Sequence, residues 1–402
     1  MIVRLEGRGV VWAMALGQLG SLLPHVAVPS VLAQYLIPEW HLSGAQAGLL
    51  AGAFAAGYML AVPVLATLTD RIDARIVLIW GSALSAFATL LFGICAQGLW
   101  SGALIWGLAG IGFGGAYMPG LKALTDRLKP GDSSRAVTLY TSFFSFGVGL
   151  SFLVSQLVAE RWGWRSAFVA TSLGPLAMIV ICILLKPVKP HPHEGRLLNF
   201  APVIANRPAM GFVLGYAAHC FELYGMRTWI VAFWAFVAMT HSGSAILSPV
   251  AVSVLFSVLA MPASVLGNEM ALKIGRHRAI TSIMIASAVV GVTIGIMADA
   301  SAWALLALLT IYAVTVPADS GALTSGMTMA SNLKNRGATM ALHSTAGFAG
   351  AALGSWGVGV ALDAAGGPQN ASAWTAAFCL MAAGILLGPL ALSWSRSAAA
   401  TR

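Results

Sequence analysis

The sequence predicts an all-α integral membrane protein: about twelve transmembrane helices in two six-helix bundles with a central cavity. Three observations predict it. Apolar stretches of about 20–28 residues recur from end to end between short polar joints, and a hydrocarbon core about 30 Å thick needs about 20 helical residues to cross it. The hydrophobic fraction is 58% and the charged fraction 9%, against about 25% charged in an ordinary soluble domain, so the bilayer has to act as the solvent. Finally, with Met1 in the cytoplasm and the joints alternating sides, 19 of the 22 Lys and Arg residues fall inside. Arg161 and Arg165 fall outside, and Arg227 lies within a span. Cytoplasmic enrichment of Lys and Arg sets orientation during insertion. The chain is therefore expected in the cell (inner) membrane, multi-pass, with both termini cytoplasmic.

The spans are expected near residues 10–37, 46–69, 76–96, 99–121, 136–159 and 166–185, and then near 208–238, 245–268, 279–298, 302–330, 338–362 and 372–394. Arg4 and Arg8 precede a first apolar run longer than the roughly 7–15 residues of a signal-peptide core, which predicts a retained span. Trp40, Trp100, Trp162, Trp164 and Trp374 mark the proposed outer edges, while Trp12, Trp80 and Trp394 mark inner ones. Interfacial tryptophans belong at those levels. A polar, Pro-rich segment with Lys186, Lys189, His191, His193, Glu194, Arg196 and Arg207 divides the chain. The expected domains are a bundle over 1–185, a cytoplasmic central loop over 186–207 and a second bundle over 208–402.

The halves repeat. Arg135-Ala136-Val137-Thr138 opens the fifth span and Arg336-Gly337-Ala338-Thr339 the eleventh; Trp164-x-x-Ala167-Phe168 opens the sixth and Trp374-x-x-Ala377-Phe378 the twelfth. Same order and same topological place predict a duplicated six-helix unit. Such repeats hold a solute near the midplane at their interface, and one half rocks against the other.

Several function classes are excluded. The net charge of +9 reflects the inside bias plus attraction to anionic lipid. The basic residues are scattered over short loops and form no nucleic-acid stripe. Cys95, Cys182, Cys220 and Cys379 sit in apolar stretches without metal-ligand spacing and read as packing thiols. His191-Pro192-His193 offers too few ligands for a metal. Gly110-Ile111-Gly112-Phe113-Gly114-Gly115 has the G-x-G-x-x-G form but lies inside an apolar span with no preceding strand, so close helix packing is expected there. Gly347, Gly350 and Gly354 read the same way. Neither H-E-x-x-H nor G-x-S-x-G occurs, and no phosphate-binding loop is present. An enzyme, ATP-driven transport and a bound cofactor or metal are not expected.

Ionisable groups at mid-membrane are costly and are functional candidates by default. Glu222 lies near the centre of the seventh span, in His219-Cys220-Phe221-Glu222-Leu223-Tyr224-Gly225-Met226-Arg227. His219 and Glu222, three apart, share a helical face. Arg227, five beyond Glu222, sits about 140° round an ideal helix, so the two pair only if the helix opens at Gly225. Glu222 is expected to take up and release a proton, or to bind a cationic group. Arg227 is expected to bind an anionic solute, since a guanidinium matches carboxylate geometry. The competing reading is an internal ion pair that only holds helices together. Asp319, in Pro317-Ala318-Asp319-Ser320-Gly321 of the tenth span, sits beside a helix-breaking proline and is the second proton candidate. Its competing role is to satisfy freed backbone groups. His219 and Tyr224 are candidate solute contacts beside Glu222. Tyr58 and Tyr140 also carry hydroxyls, with core packing the commoner use.

Over nearly its whole length the chain resembles the major facilitator superfamily. That family's marker between helices two and three is G-x-x-x-D-R-x-G-R-R. Here the stretch is Ala66-Thr67-Leu68-Thr69-Asp70-Arg71-Ile72-Asp73-Ala74-Arg75, in which Asp70, Arg71 and Arg75 match and both glycines and the first Arg of the closing pair do not. In the second-half loop, Asn268 to His277, Lys273, Gly275 and Arg276 match and Leu272 replaces the acid. The resemblance implies a cytoplasmic latch made of Asp70, Arg71, Arg75, Lys273 and Arg276. It also implies that the first helix lines the cavity, which makes His25, between Pro24 and Pro29 with Gln18, Ser21 and Gln34 nearby, a candidate solute contact. The family's frequent Arg in the fourth helix is replaced by Trp106, and the exporter Gly-Pro signature is missing from the fifth. The pattern is similar to prokaryotic carriers of small solutes, the cyanate-transporter-like branch among them. The expected protein is a secondary carrier, monomeric, that moves a small polar solute by alternating access. The solute is an organic anion or zwitterion, imported with protons. A proton-antiport exporter of drugs or metabolites is the alternative within the class. A solute sensor that does not transport is the alternative outside it.

Overall fold

The computed structural model describes residue 5 and residues 7–128, 133–190, 200–240, 246–332 and 335–397. His191, His193, Glu194 and Arg196 of the central segment lie outside the described residues. Among the described residues all regular structure is helical. Eleven helices are long and apolar enough to cross a membrane, and a bent pair, Arg8–Leu22 with Ala27–Trp40, makes a twelfth. In order, the remaining spans are Gly44–Leu68, Ala74–Cys95, Leu99–Thr125, Leu139–Trp162, Trp164–Leu184, Arg207–Thr240, Pro249–Ile274, Arg276–Ile296, Ala302–Ala330, Arg336–Ala364 and Ala371–Arg396. They match the apolar runs within a few residues. Large apolar side chains such as Leu104 (75% exposed) and Trp80 (72% exposed) stand on the outside, an arrangement that only a lipid solvent tolerates on this scale.

The chain divides into two compact units, one of residues 1–31 and 53–199 and the other of residues 32–52 and 200–402. The end of the first span and the start of the second thus group with the later half of the sequence.

Within the first unit, the first span bends by 45° after Leu22. Pro24 carries no N–H and cannot continue the hydrogen-bond ladder. Ser151 repairs the break: its hydroxyl donates to the Leu23 carbonyl (2.6 Å) and accepts from the Val26 N–H (3.2 Å). Gln156 Nε2 donates to the Ser30 carbonyl at 3.1 Å. Without these partners the freed groups would be orphaned in an apolar medium. The fourth span is interrupted between helices Leu99–Gly114 and Tyr117–Thr125, and the tenth between Ala302–Ala318 and Ser320–Ala330. Fourth and tenth are corresponding members of the two halves, so the repeat extends to the placing of the breaks.

Glycine faces bring helices together as the sequence suggests. A Cβ at Gly110 would strike the Phe54 backbone, and Cβ atoms at Gly350 and Gly354 would strike the carbonyls of Ala217 and Phe221. The second unit is built on the long helix Arg207–Thr240, which packs along Arg336–Ala364 and Ala371–Ser397. The glycine contacts set how near that helix lies to its neighbours, and hence the depth at which its polar residues are buried.

Candidate functional site

The second unit buries most of the candidate ionisable groups. Helix Arg207–Thr240 runs unbroken through Gly225. Glu222 and Arg227 therefore stay on different faces, and among the described residues no ion pair joins them. Glu222 is fully buried (0% exposed). Its Oε1 accepts hydrogen bonds from Ser287 Oγ and Tyr312 Oη, each at 2.9 Å, while its Oε2 is buried without a partner. Both donors come from other spans, the ninth and the tenth. A carboxyl satisfied on one oxygen and bare on the other has a free place for a proton.

Asp319 sits at the break of the tenth span, where Pro317 ends helix Ala302–Ala318. Its Oδ1 lies 2.6 Å from His219 Nδ1, and both side chains are nearly fully buried. The contact is an ion pair only when His219 carries its second proton. Next to it, Ser320 Oγ donates to the Pro317 carbonyl at 2.7 Å and lies 2.7 Å from Ser264 Oγ. The break is thus fastened to the seventh and eighth spans together. Ser320 serves the backbone and Ser264 serves Ser320, so the side chain of Asp319 is left for His219. On the same side of the seventh span Tyr216 stacks between His219 (5.5 Å) and His343 (3.9 Å).

Arg227 is 4% exposed, and its Nε and Nη1 are buried with no hydrogen-bond partner. Its guanidinium lies over the Tyr224 ring, 4.9 Å from the centroid, and that ring meets Phe348 at 5.7 Å. An aromatic face offsets part of the desolvation of a buried cation. The neighbouring Thr228 and Trp229 are engaged by Ser355 instead, at 2.9 Å and 3.0 Å.

In the first unit His25 is buried at the bend of the first span, ringed by Phe54, Phe113 and Phe144 with centroids 5.1–5.3 Å away. One turn and more before it, Gln18 Oε1 accepts from Tyr140 Oη at 2.6 Å, and Gln18 Nε2 and Ser21 Oγ are buried without partners. Trp106 of the fourth span packs in an aromatic core with Phe54, Phe92 and Phe168.

At the junction of the second and third spans, Asp73 is the hub. It caps helix Ala74–Cys95 by accepting from the Arg75 N–H at 2.9 Å. It also accepts from the Val188 N–H (2.9 Å) and from Arg127 Nη2 (3.0 and 3.1 Å). Arg75 Nη1 and Arg127 Nε donate to the carbonyls of Leu185 and Lys186 at 3.0 and 2.8 Å. Burial alone would push the Asp73 carboxyl up, but the bonds from Val188, Arg75 and Arg127 outweigh it and hold it below its ordinary 3.8. Asp70 and Arg71 make no side-chain hydrogen bond or ion pair among the described residues. Lys273 is exposed, and Arg276 Nη1 lies 2.7 Å from Met329 Sδ.

The geometry brings His219 to Asp319 and keeps Glu222 apart from Arg227. It adds Ser287, Tyr312, Asp73 and Arg127, none of which stood out in the sequence. A many-helix membrane protein whose spans break at buried polar residues is the architecture of a solute carrier. The sequence profile of the Major Facilitator Superfamily matches residues 14–333, so the chain belongs to that family. It is a secondary transporter that works by alternating access on a small-molecule substrate, and not an enzyme. Among solved structures it is similar to a bacterial homolog of the human lysosomal transporter Spinster. The inward-facing, occupied form of that protein matches at TM-score 0.74 and 18% identity, over 98% of this chain and 97% of that one. The inward-facing, unoccupied form matches at TM-score 0.70 and 17% identity, over 96% and 95%. At that identity the likeness concerns the fold alone.

Proposed function

We propose that this chain imports a small organic anion or zwitterion together with protons, as a monomer, across the cell (inner) membrane, with both termini in the cytoplasm. The observation that carries the reading is the separation of roles on one helix. Glu222 is buried with a bare oxygen, and Arg227, five residues on, is buried with two bare nitrogens. Ionisable groups with bare polar atoms in apolar surroundings are costly and mark functional positions. Arg227 with Tyr224 holds the solute. Glu222 carries the coupling proton, Asp319 at the tenth-span break is the second proton site, and His219, 2.6 Å from it, is a further solute contact. His25 is a further candidate solute contact. Asp70, Arg71, Arg75, Lys273 and Arg276 act as the cytoplasmic latch, charged ends that favour one of two helix packings.

The test is a luminal pH dye in sealed proteoliposomes containing the purified protein. Small carboxylates, amino acids, inorganic anions and organic cations are added outside in turn. Acidification of the lumen by a carboxylate or amino acid is the expected result. Alkalinisation would make the protein an antiporter and an exporter. Silence across the panel with folded protein would remove the proton role of Glu222 and Asp319.

A further inference from the structure

Resting on the proposed cytoplasmic termini, which put the start of the second span and the end of the eleventh on the outer side, we infer that residues 32–52 form an outer strap. Asp363 docks this strap on the eleventh span in this structure, and each transport cycle undocks it and docks it again.

The second span begins with a capping box. The Ser43 N–H donates to Gln46 Oε1 (3.0 Å), and the Gln46 N–H donates to Ser43 Oγ (3.3 Å). The first intrahelical bond runs from the Ala47 N–H to the Ser43 carbonyl at 2.9 Å. Reciprocal capping of this kind leaves the N–H groups of the two residues in between unsatisfied. Both of these go to one carboxylate. Asp363 Oδ1 accepts from Gly44 at 2.6 Å and Oδ2 from Ala45 at 2.8 Å, across sequence separations of 319 and 318 residues. A negative charge there also faces the positive end of the helix. The helix thus caps itself where it can and presents a two-donor socket that Asp363 fills.

Beyond the socket the contact is backbone on backbone. Gly44, Gly48 and Gly52 recur every four residues and share a face. A Cβ on each would strike, in turn, the carbonyls of Gly359, Ser355 and Ala352. After Gly52 the second span changes partner. A Cβ at Gly57, about 140° round an ideal helix from Gly52, would strike the Gly107 carbonyl of the fourth span. The change coincides with the boundary between the compact units, since residues 32–52 group with the second and residues 1–31 and 53–199 make the first. The strap is therefore continuous in chain with the first unit at both ends, while its own contacts lie in the second. One half can rock freely against the other only when the strap lets go. The eleventh span does not follow the strap, because Ser355 ties it to the seventh: its carbonyl accepts from Trp229 Nε1 at 3.0 Å and its hydroxyl lies 2.9 Å from Thr228 Oγ1. Release at Asp363 is the cheaper event. Asp363 is exposed, so water replaces the partners it gives up, and the glycines have no side chains to repack. The strap also opens on a π-helical turn, Leu32–Leu36, an irregularity frequent at functional sites.

The experiment measures distances by double electron–electron resonance on the purified full-length protein in lipid nanodiscs. The exposed Cys95 and Cys379 are replaced by Ser, and spin labels are placed at Glu39→Cys on the strap and Gln369→Cys after the eleventh span, both exposed positions. The labelled protein with Asp363 intact should show a short distance with at most a minor long one. Asp363→Ala should raise the long-to-short ratio about fivefold, the scale set by one charge at a helix end. Asp363→Asn, with one acceptor oxygen and no charge, should fall between. Gly48→Ala, which drives a methyl against the Ser355 carbonyl, should also favour the long distance. Melting curves verify folding of each variant, a readout that a merely structural contact would move without changing the ratio. An unchanged ratio in folded Asp363→Ala overturns the role of Asp363, and an unchanged ratio in Gly48→Ala as well overturns the strap. A membrane-impermeant maleimide should label Gln369→Cys in intact cells. Labelling only after lysis overturns the outer placement and the topology beneath it, while the distances still decide whether the strap undocks.

Discussion

Replacing Glu222 by Gln separates coupling from carriage. The amide oxygen of Gln can still accept from Ser287 and Tyr312, both now at 2.9 Å, so the packing of the seventh, ninth and tenth spans is retained. A buried neutral amide also avoids the desolvation of a carboxylate, and the net change in stability is expected within about 1 kcal/mol. Glu222→Ala is the harsher change, since it strands two buried hydroxyls at about 1–3 kcal/mol each. The transport consequence is larger. An inward gradient of one pH unit supplies about 1.4 kcal/mol per proton, equivalent to tenfold accumulation of a solute that travels with one proton. Wild-type proteoliposomes should therefore accumulate solute about tenfold under that gradient, and Glu222→Gln vesicles should stop at equal concentrations. Exchange of labelled for unlabelled solute, which needs no net proton movement, should continue in the variant. Undiminished accumulation by Glu222→Gln would refute the reasoning. So would equal loss of both modes in folded protein, because Glu222 would then serve solute binding or structure and not coupling.

Other perturbations test the frame. Gly350→Ala places a methyl against the Ala217 carbonyl and should destabilise the purified protein by about 1–3 kcal/mol, the usual cost of overpacking. Gly337→Ala, with nothing within 4 Å, should melt like wild type. Asp73→Asn should remove about 1.5–3 kcal/mol of charge-assisted bonding, read as a lower melting temperature of the purified protein. The sign with pH comes from the depressed Asp73 value: its contribution is complete above 3.8 and is lost as pH falls through the lower folded value. Thermal melts in acid should show wild type losing an increment that Asp73→Asn never had.

Most of the fold is legible in the sequence because each span must satisfy its own backbone, which makes length and apolarity local signals. Pro24 and Pro317 announce the breaks for the same reason. The site is legible only in part. Glu222, Arg227 and Asp319 stand out because charge is rare in the spans. Their partners do not: Ser287 and Tyr312 lie 65 and 90 residues from Glu222, and a serine or tyrosine in an apolar run has no signature of its own. The pairing of His219 with Asp319 likewise depends on which faces two distant helices present. Asp73 did carry a signal, an acid immediately before an apolar helical run, the mark of an N-cap. The motif comparison directs attention to Asp70 instead. Arg127, 54 residues away from Asp73, becomes visible as its partner only once the third and fourth spans are folded.

The most direct test of the central claim, that Glu222 binds the proton that travels with the solute, is infrared difference spectroscopy on the reconstituted protein as solute is added at constant pH. Wild type should gain the carbonyl stretch of a protonated carboxyl, and that band should be missing from Glu222→Gln and present in Asp319→Asn. A band that survives in Glu222→Gln and vanishes in Asp319→Asn would move the coupling proton to the tenth-span break, and solute binding with no such band would contradict proton coupling at either acid.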